Sequence, residues 1–214
     1  MLRFRSLAIM VYLSVFMLAA CTDTGEKKGD AAIAQADLTD FEEQLMDLSN
    51  ETSFAYDINL HNEKARQLEV MVEHYEDGEK VNEVVHFASD LKGTKPSDDL
   101  RVVFLRQMIG QGKEKWVASI MTENGRASTE NIVKTPSDDY TSVSSGGVGS
   151  KIPFNIGEQK YAATIKHTNK TSVTQRTNME TEEAIKKATD YEHVYLMSVQ
   201  LNEQFEKLEE KNDK

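Results

Sequence analysis

The stretch QLEVMVEHYEDGEKVNEVVHF, residues 67–87, decides the fold. Apolar and polar residues alternate on both sides of Asp77-Gly78, a pair that tolerates the positive φ angles of a two-residue hairpin turn. With this pair as the loop, the numbers of opposed residues sum to 155, and one face of the hairpin is mostly apolar. The predicted pairs are Leu68 with Phe87, Val70 with Val85, Val72 with Glu83, and His74 with Val81. The opposite, polar face carries Glu69, Glu73, Asn82 and His86.

Similar patterns recur along the chain and predict about eight or nine strands. Residues 54–60 alternate in the same way, and Asn124-Gly125 predicts a second tight hairpin. Its opposed residue numbers sum to 249, which pairs Trp116 with Val133 and Val117 with Ile132. Further strands are predicted in RVVFLRQMI (101–109), KWVASIM (115–121), IPFNI (152–156), KYAATIKHT (160–168) and YEHVYLMSVQL (191–201). Successive hairpins predict a mainly β fold, an antiparallel two-sheet β-sandwich, with a barrel as the alternative.

Two short helices are predicted beside the strands. Thr39 and Glu42 have the spacing of a capping box. Four apolar residues after Thr39 share one helical face: Phe41, Leu45, Met46 and Leu48. We expect this helix to pack on the edge of the domain, with a partner-binding helix as the alternative. The stretch METEEAIKKATD, residues 179–190, predicts a second helix before the last strand.

The N-terminus has the pattern of a secretory signal. Arg3 and Arg5 are the only charged residues among the first 22, and an apolar run extends from Leu7 to Ala20. A basic start, a short apolar run and small residues at its end are typical of a signal peptide. The run is shorter than the roughly 20 apolar residues that a transmembrane helix needs. We therefore expect residues 1–20 to be a signal peptide.

Leu18-Ala19-Ala20-Cys21 resembles the lipobox of bacterial lipoproteins, and Cys21 is the only cysteine in the chain. The resemblance implies that Cys21 carries a diacylglyceryl group and becomes the N-terminus after cleavage. Two acyl chains hold a protein stably at a membrane, whereas one gives only marginal binding. The resemblance implies an extracytoplasmic, lipid-anchored protein of a bacterial cell membrane, and we favour a Gram-positive source. For residues 22–214 the sequence suggests no family.

The remaining chain divides by composition. Residues 21–38 are small and polar and predict a flexible tether, residues 39–204 form the predicted domain, and residues 205–214 form a charged tail. Removal of residues 1–20 leaves 23 basic and 36 acidic residues, a formal charge of −13. Such a surface is repelled by nucleic acid and by anionic lipid, so we expect neither as a partner.

Several residue groups have side chains that can carry out chemistry, but none has the pattern of a known site. The five histidines lack metal-ligand spacing, and His74 and His86 are predicted on opposite faces, so surface or edge histidines are expected. They are His61, His74, His86, His167 and His193. The stretch Gly146–Lys151 has Ser150 between its last glycine and Lys151, unlike a Walker loop, and predicts a linker within SSGGVGS (144–150). PSDD occurs at 96–99 and at 136–139, where turns are expected instead of a calcium site.

The sequence also lacks the motifs of a nucleophilic enzyme. It contains no G-x-S-x-G, and lipidation would modify its only cysteine. We expect a non-catalytic binding or assembly module without cofactor or metal, acting on another envelope protein or on a cell-wall component. A lipid-anchored small-ligand binder is the alternative and would need a deep pocket lined by Trp116 and several tyrosines. An envelope hydrolase is the third hypothesis and would need a cleft with paired catalytic groups.

Overall fold

A computed structural model describes residues 29–49, 52–136, 140–175 and 179–206. This part of the chain forms eleven strands and two helices. The strands are β1 Ala31–Gln35, β2 Thr52–Leu60, β3 Gln67–Glu76, β4 Glu79–Asp90, β5 Leu100–Gly110, β6 Lys113–Thr122, β7 Gly125–Lys134, β8 Ser142–Gly147, β9 Ile152–Phe154, β10 Gln159–Thr168 and β11 His193–Asn202. The helices are α1 Asp40–Ser49 and α2 Glu182–Thr189. Neither helix has the length and apolar character needed to cross a bilayer.

The strands form two antiparallel sheets, which confirms the predicted β-sandwich. The six-stranded sheet has the order β7-β6-β5-β2-β1-β9, and the five-stranded sheet has the order β4-β3-β11-β10-β8. The strand count exceeds the prediction because β1 and β8 lie in segments that were expected to be a tether and a loop. The main core lies between the sheets, and its largest buried side chains include Trp116, Tyr56, Tyr195, Phe104 and Phe154.

A smaller core covers the outer face of the five-stranded sheet. Helix α2, which begins after the N-cap Thr181, brings Ala188 against Val194 and Leu196 of β11. Tyr191 and Met179 complete this cluster. The second predicted helix is therefore confirmed, and it gives β11 apolar neighbours on both faces.

The first hairpin has the predicted turn but not the predicted register along its whole length. Next to the turn, Glu76 pairs with Glu79, as expected from the sum of 155. Two bulges then each add a residue to β4, so that Leu68 pairs with Ser89 instead of Phe87, and His74 pairs with Asn82 instead of Val81. Each bulge leaves one residue of β4 without an opposite partner. Val81 is consequently exposed, whereas Val72 and Val85 still face the core.

The second hairpin is shifted by two residues from the predicted register. Thr122 pairs with Gly125, so the loop is Glu123-Asn124 and Trp116 pairs with Asn131. The Thr122 hydroxyl accepts the Asn124 N–H at 3.2 Å and donates to the Gly125 carbonyl at 3.3 Å, which closes the turn earlier. A shift of two residues preserves the faces of both strands, and Trp116 still points into the core.

Part of the predicted tether is a strand inside the six-stranded sheet. Strand β1 lies between β2 and β9, and Ala31, Ala32 and Ile33 are buried. The Asp30 carboxylate helps to hold this strand by accepting the Asn62 side-chain amide at 2.7 Å and the Ile156 N–H at 3.0 Å. The tether prediction failed here because a strand buried on both faces shows no alternation of apolar and polar residues. The predicted signal peptide, Cys21 and residues 207–214 lie outside the described residues.

Residues 144–147 belong to a strand and not to the expected linker. Strand β8 pairs with β10, and Gly147 lies beside Tyr56 of the opposite sheet. A Cβ atom on Gly147 would be 2.0 Å from the Tyr56 hydroxyl oxygen, so the strand requires glycine at this position. The first PSDD forms the expected turn, in which Asp98 accepts the Lys95 N–H at 2.8 Å. Positions 137–139 of the second PSDD lie outside the described residues.

Candidate functional site

Three histidines meet at one end of the sandwich, on the inner face of the five-stranded sheet. They lie on the adjacent strands β3, β11 and β10. Tyr195 is opposite His74, and His193 is opposite both Glu76 of β3 and His167 of β10. Residues opposite one another on neighbouring strands project from the same face, so the sheet pairing alone brings these side chains together. We call His74, Glu76, His167 and His193 the histidine cluster.

Within the cluster, His193 is in direct contact with both His74 and Glu76. The His74 Nε2 and His193 Nδ1 atoms are 3.0 Å apart, and the Glu76 Oε1 atom is 3.6 Å from His193 Nδ1. The His74 ring stacks on Tyr195 with a centroid separation of 4.6 Å. Among the described residues, His74, Glu76 and His193 are the only group of three histidine, cysteine or acidic residues whose ligand atoms all lie within 4.8 Å.

The six-stranded sheet supplies a buried ion pair opposite the histidines. Arg106 of β5 donates to Glu114 of β6, with an Nη2–Oε2 distance of 2.6 Å, and the Trp116 indole N–H donates to the same carboxylate at 2.9 Å. Both charged side chains are buried. The guanidinium carbon is 6.0 Å from the centre of the Tyr195 ring, so the pair lies against the tyrosine on which His74 stacks.

Burial disfavours the charged form of the His167 and His74 imidazoles. Burial, together with the nearby Arg106 charge, lowers the pKa of His167 to about 4. Burial and the neighbouring His193 also lower the pKa of His74. His167 Nε2 is buried and has no hydrogen-bond partner among the described residues. A neutral imidazole has one ring nitrogen with a free lone pair, so these side chains can act as hydrogen-bond acceptors or as metal ligands.

The expectation of surface or edge histidines is wrong for His74, His167 and His193, whereas His61 and His86 lie away from them. His61 Nδ1 contacts the Gly29 carbonyl at 2.9 Å, and His86 contacts Glu69 on the outer face. His74 and His86 are on opposite faces, as predicted. A usable signal did exist, because His74 and His193 each extend an apolar alternation that predicts the core face. The sequence did not predict which strands would be neighbours.

A second feature is the outer face of α1. The predicted capping box is present: Glu42 accepts the Thr39 N–H at 2.8 Å, and the Thr39 hydroxyl accepts the Glu42 N–H at 3.3 Å. The expected packing of the apolar face is wrong, because Phe41, Leu45 and Leu48 are 69%, 49% and 85% exposed. We call these three residues the α1 stripe. Only Met46 of the predicted face is half-buried.

A cleft of about 460 Å³ lies between α1 and the sandwich. Leu38, Met46, Phe54 and Tyr56 contribute to its walls. A second cleft, of about 510 Å³, lies beside the first PSDD turn. Trp116 lines neither cleft and is buried in the core. Neither of these two clefts is therefore the pocket lined by Trp116 and several tyrosines that a ligand binder would need.

The two antiparallel sheets define this chain as a β-sandwich protein. Its histidine cluster lies on the inner face of the five-stranded sheet. The chain belongs to the YgaN family, because the family model of the YgaN domain matches residues 32–201. The match begins in β1 and ends in β11, and therefore spans both sheets. Comparisons with curated proteins and with solved structures gave no match.

Proposed function

We propose that this chain is an exported lipoprotein, held at a bacterial membrane by a lipid on Cys21, whose sandwich binds another envelope protein through the α1 stripe. The exposed stripe is the observation that carries the binding role. The lipobox resemblance supports the location. The proposed role is binding, because the α1 stripe presents three large apolar side chains to solvent.

The α1 stripe has the geometry of a helical binding face. Phe41, Leu45 and Leu48 are spaced by four and three residues and lie on one side of the helix. Burial of one such side chain contributes about 1.5–3 kcal/mol, so a groove that covers all three would gain several kcal/mol. The two sheets already have their core, so the stripe is not required to complete it. These features favour an amphipathic helix that enters the groove of a partner.

The charges on α1 indicate what kind of partner fits. Four acidic residues, Asp40, Glu42, Glu43 and Asp47, share the helix with the stripe, and the helix contains no basic residue. Anionic lipid would repel this surface, whereas a protein groove bordered by lysine or arginine would attract it. The proposed partner is therefore a protein with an apolar groove and a basic rim.

The position of α1 is also compatible with a partner at the membrane. Nine residues separate Cys21 from Ala31, the first residue of β1. Even fully extended, a chain of this length reaches about 35 Å. A lipid on Cys21 would therefore hold the sandwich and α1 close to the membrane surface, where integral envelope proteins are accessible.

A second candidate function is small-ligand binding in the cleft beneath α1. Its volume of about 460 Å³ lies within the range of roughly 300–1,000 Å³ that is usual for ligand pockets. Phe54, Tyr56 and Met46 would offer apolar contacts there. In this case α1 would serve as one wall of the pocket and not as a docking face.

Site-specific photocrosslinking in intact cells tests the protein-partner proposal. A photoreactive amino acid is placed at Leu48 in one strain and, as a matched control, at Val143, an exposed apolar residue of β8. We expect one envelope protein to be crosslinked from position 48 and not from position 143. The crosslink should disappear in a Leu45→Glu variant that keeps its circular dichroism spectrum.

A Cys21→Ala strain tests the anchor separately. Loss of lipid labelling and release from the membrane fraction are expected for this variant. Identical crosslinks from positions 48 and 143, or none from either, would reject docking through α1 while leaving the anchor intact. Unchanged membrane attachment of Cys21→Ala would reject the anchor.

A further inference from the structure

We propose that His74, Glu76 and His193 form a binding site for one divalent transition-metal ion such as Zn²⁺. The three side chains lie at one end of the sandwich, on the neighbouring strands β3 and β11. One ligand atom of each residue lies within 4.8 Å of the other two. This site is distinct from the α1 stripe and requires neither the proposed partner nor the lipid anchor.

The distances between the ligand atoms fit a tetrahedral ion. Two ligands that each lie about 2.0–2.1 Å from zinc are about 3.3 Å apart in tetrahedral geometry. The separation of His74 Nε2 from His193 Nδ1 is 3.0 Å, and that of His193 Nδ1 from Glu76 Oε1 is 3.6 Å. These two values lie on either side of the tetrahedral separation, and the ligand atoms of His74 and Glu76 lie within 4.8 Å of each other.

The ligand types select the class of metal. Two imidazoles and one carboxylate form a three-residue set that binds zinc and leaves a fourth position for water or another ligand. Imidazole also suits copper and nickel, whereas magnesium and calcium prefer sites made of oxygen ligands alone. The site is therefore expected to bind zinc in preference to magnesium.

His167 provides a separate indication that this end of the sandwich binds a ligand. Its Nε2 atom is buried without a hydrogen-bond partner among the described residues. Most buried polar atoms in proteins have a partner, so this one requires an explanation. His167 is the cross-strand neighbour of His193. An ion on His193, or water bound to that ion, would lie on the same face of the sheet and could supply the partner.

The site combines a rigid frame with access from solvent. His74 is held between Tyr195, on which it stacks, and His193. The ring of Tyr140 lies edge-on to His193 with a centroid separation of 5.2 Å. The Glu76 side chain is 49% exposed, so an ion can reach the carboxylate from solution. Ligands that are fixed on strands lose little freedom when the ion binds.

Binding would replace the hydrogen bond between His74 and His193. Without metal, one of the two facing nitrogens carries the proton that the other accepts. With metal, both nitrogens direct a lone pair at the ion. The proton between them then moves to the other nitrogen of the same ring or, if that nitrogen is already protonated, to solvent.

Calorimetric titration of the full chain with Zn²⁺ tests the proposal. The protein is purified in detergent, depleted of metal with a chelator that is then removed, and titrated with ZnCl₂ or, as a control metal, MgCl₂. We expect one zinc ion per chain and no binding of magnesium. Glu76→Gln should weaken zinc binding at least tenfold, and His193→Gln should abolish it.

His86→Gln is the matched control variant. His86 also lies beside two carboxylates, those of Glu69 and Glu83, but on the outer face. The His86→Gln variant should bind zinc like the wild type. Fluorescence of Trp116 verifies the fold of each variant, and the exposed Glu76 can be changed without disturbing the core. Absence of zinc binding by the wild type, or equal binding by wild type, Glu76→Gln and His193→Gln, would overturn the proposal.

Discussion

Tyr56 couples the two sheets through one hydrogen bond, and Gly147 leaves the space that this bond requires. Tyr56 belongs to β2 of the six-stranded sheet, and its hydroxyl donates to the Ala162 carbonyl in β10 of the five-stranded sheet at 2.9 Å. The ring reaches this carbonyl because Gly147 leaves space beside it. Burial raises the pKa of the Tyr56 hydroxyl far above its ordinary value, so the group remains a donor at any physiological pH.

Gly147→Ala is expected to lower the free energy of unfolding by about 1–3 kcal/mol, the usual range for overpacking a core. The added methyl group would overlap the Tyr56 hydroxyl. Urea unfolding followed by the fluorescence of Trp116, the only tryptophan, measures the change. In a Tyr56→Phe background the same substitution should cost less, since the overlapping oxygen is gone. Additive effects of the two substitutions would contradict this account.

The pairing of strand β3 with strand β11 brings the residues of the histidine cluster together. These strands are distant in sequence, yet their register places His74 opposite Tyr195 and Glu76 opposite His193. Each strand could be predicted from its own alternation. Their adjacency could not, because antiparallel strands that are not joined by a hairpin contain no turn residue that specifies their register. The histidine cluster is therefore determined by which strands pair and in what register.

Helix α1 depends on its own capping more than on packing. Thr39→Ala removes a cap that contributes about 1 kcal/mol to helix stability. Because the α1 stripe is exposed, little core packing compensates for this loss. We expect faster hydrogen exchange and faster proteolysis within residues 40–49. The urea midpoint reported by Trp116 should remain unchanged.

The capped N-terminus of α2 provides the comparison for this helix. Thr181 caps α2 by accepting the Ala184 N–H at 3.1 Å, but Ala188 of this helix is buried. Thr181→Ala should therefore lower the urea midpoint as well. An equal effect of both substitutions on the midpoint would show that α1 is part of the cooperative fold.

The whole molecule depends on β1, a strand that composition alone assigns to a tether. Its buried residues fill the space between β2 and β9. A chain that begins at Asp37 lacks this strand and should not fold. The free-energy cost of removing a strand from inside a sheet exceeds the total stability of roughly 5–15 kcal/mol that is typical of domains. Circular dichroism and Trp116 fluorescence of this chain are compared with those of a chain that begins at Gly29. Cooperative unfolding of both chains at the same urea concentration would contradict the prediction.

Acid stability should depend on the contacts that Asp30 makes between three segments. Hydrogen bonds from Asn62 and from the Ile156 N–H hold the pKa of Asp30 below its ordinary value of 3.8. A carboxyl with a lowered pKa in the folded state contributes stability above the ordinary pKa, and this contribution is lost as the pH falls through the lowered value. Asp30→Ala should therefore be less stable than the wild type at pH 6, and the difference should shrink below pH 4.

Urea unfolding at pH 6 and below pH 4 measures the difference in stability between Asp30→Ala and the wild type. Asp37→Ala changes an exposed aspartate in the same part of the chain and serves as the control. Its stability should follow that of the wild type across this range. A constant deficit of Asp30→Ala at all pH values would mean that the ionised carboxylate is not what stabilises the fold.

The sequence by itself determined the antiparallel β-sandwich, the principal hairpins, the capped first helix and the second helix, because alternation, turn residues and caps are local signals. It also predicts the lipid anchor at Cys21, which stays a prediction. Only the tertiary structure decided that residues 31–35 are a buried strand, that the α1 stripe faces solvent and that three histidines meet. These features depend on which strands become neighbours and on how bulges shift their register, and those choices are made by packing between residues that are distant in the chain.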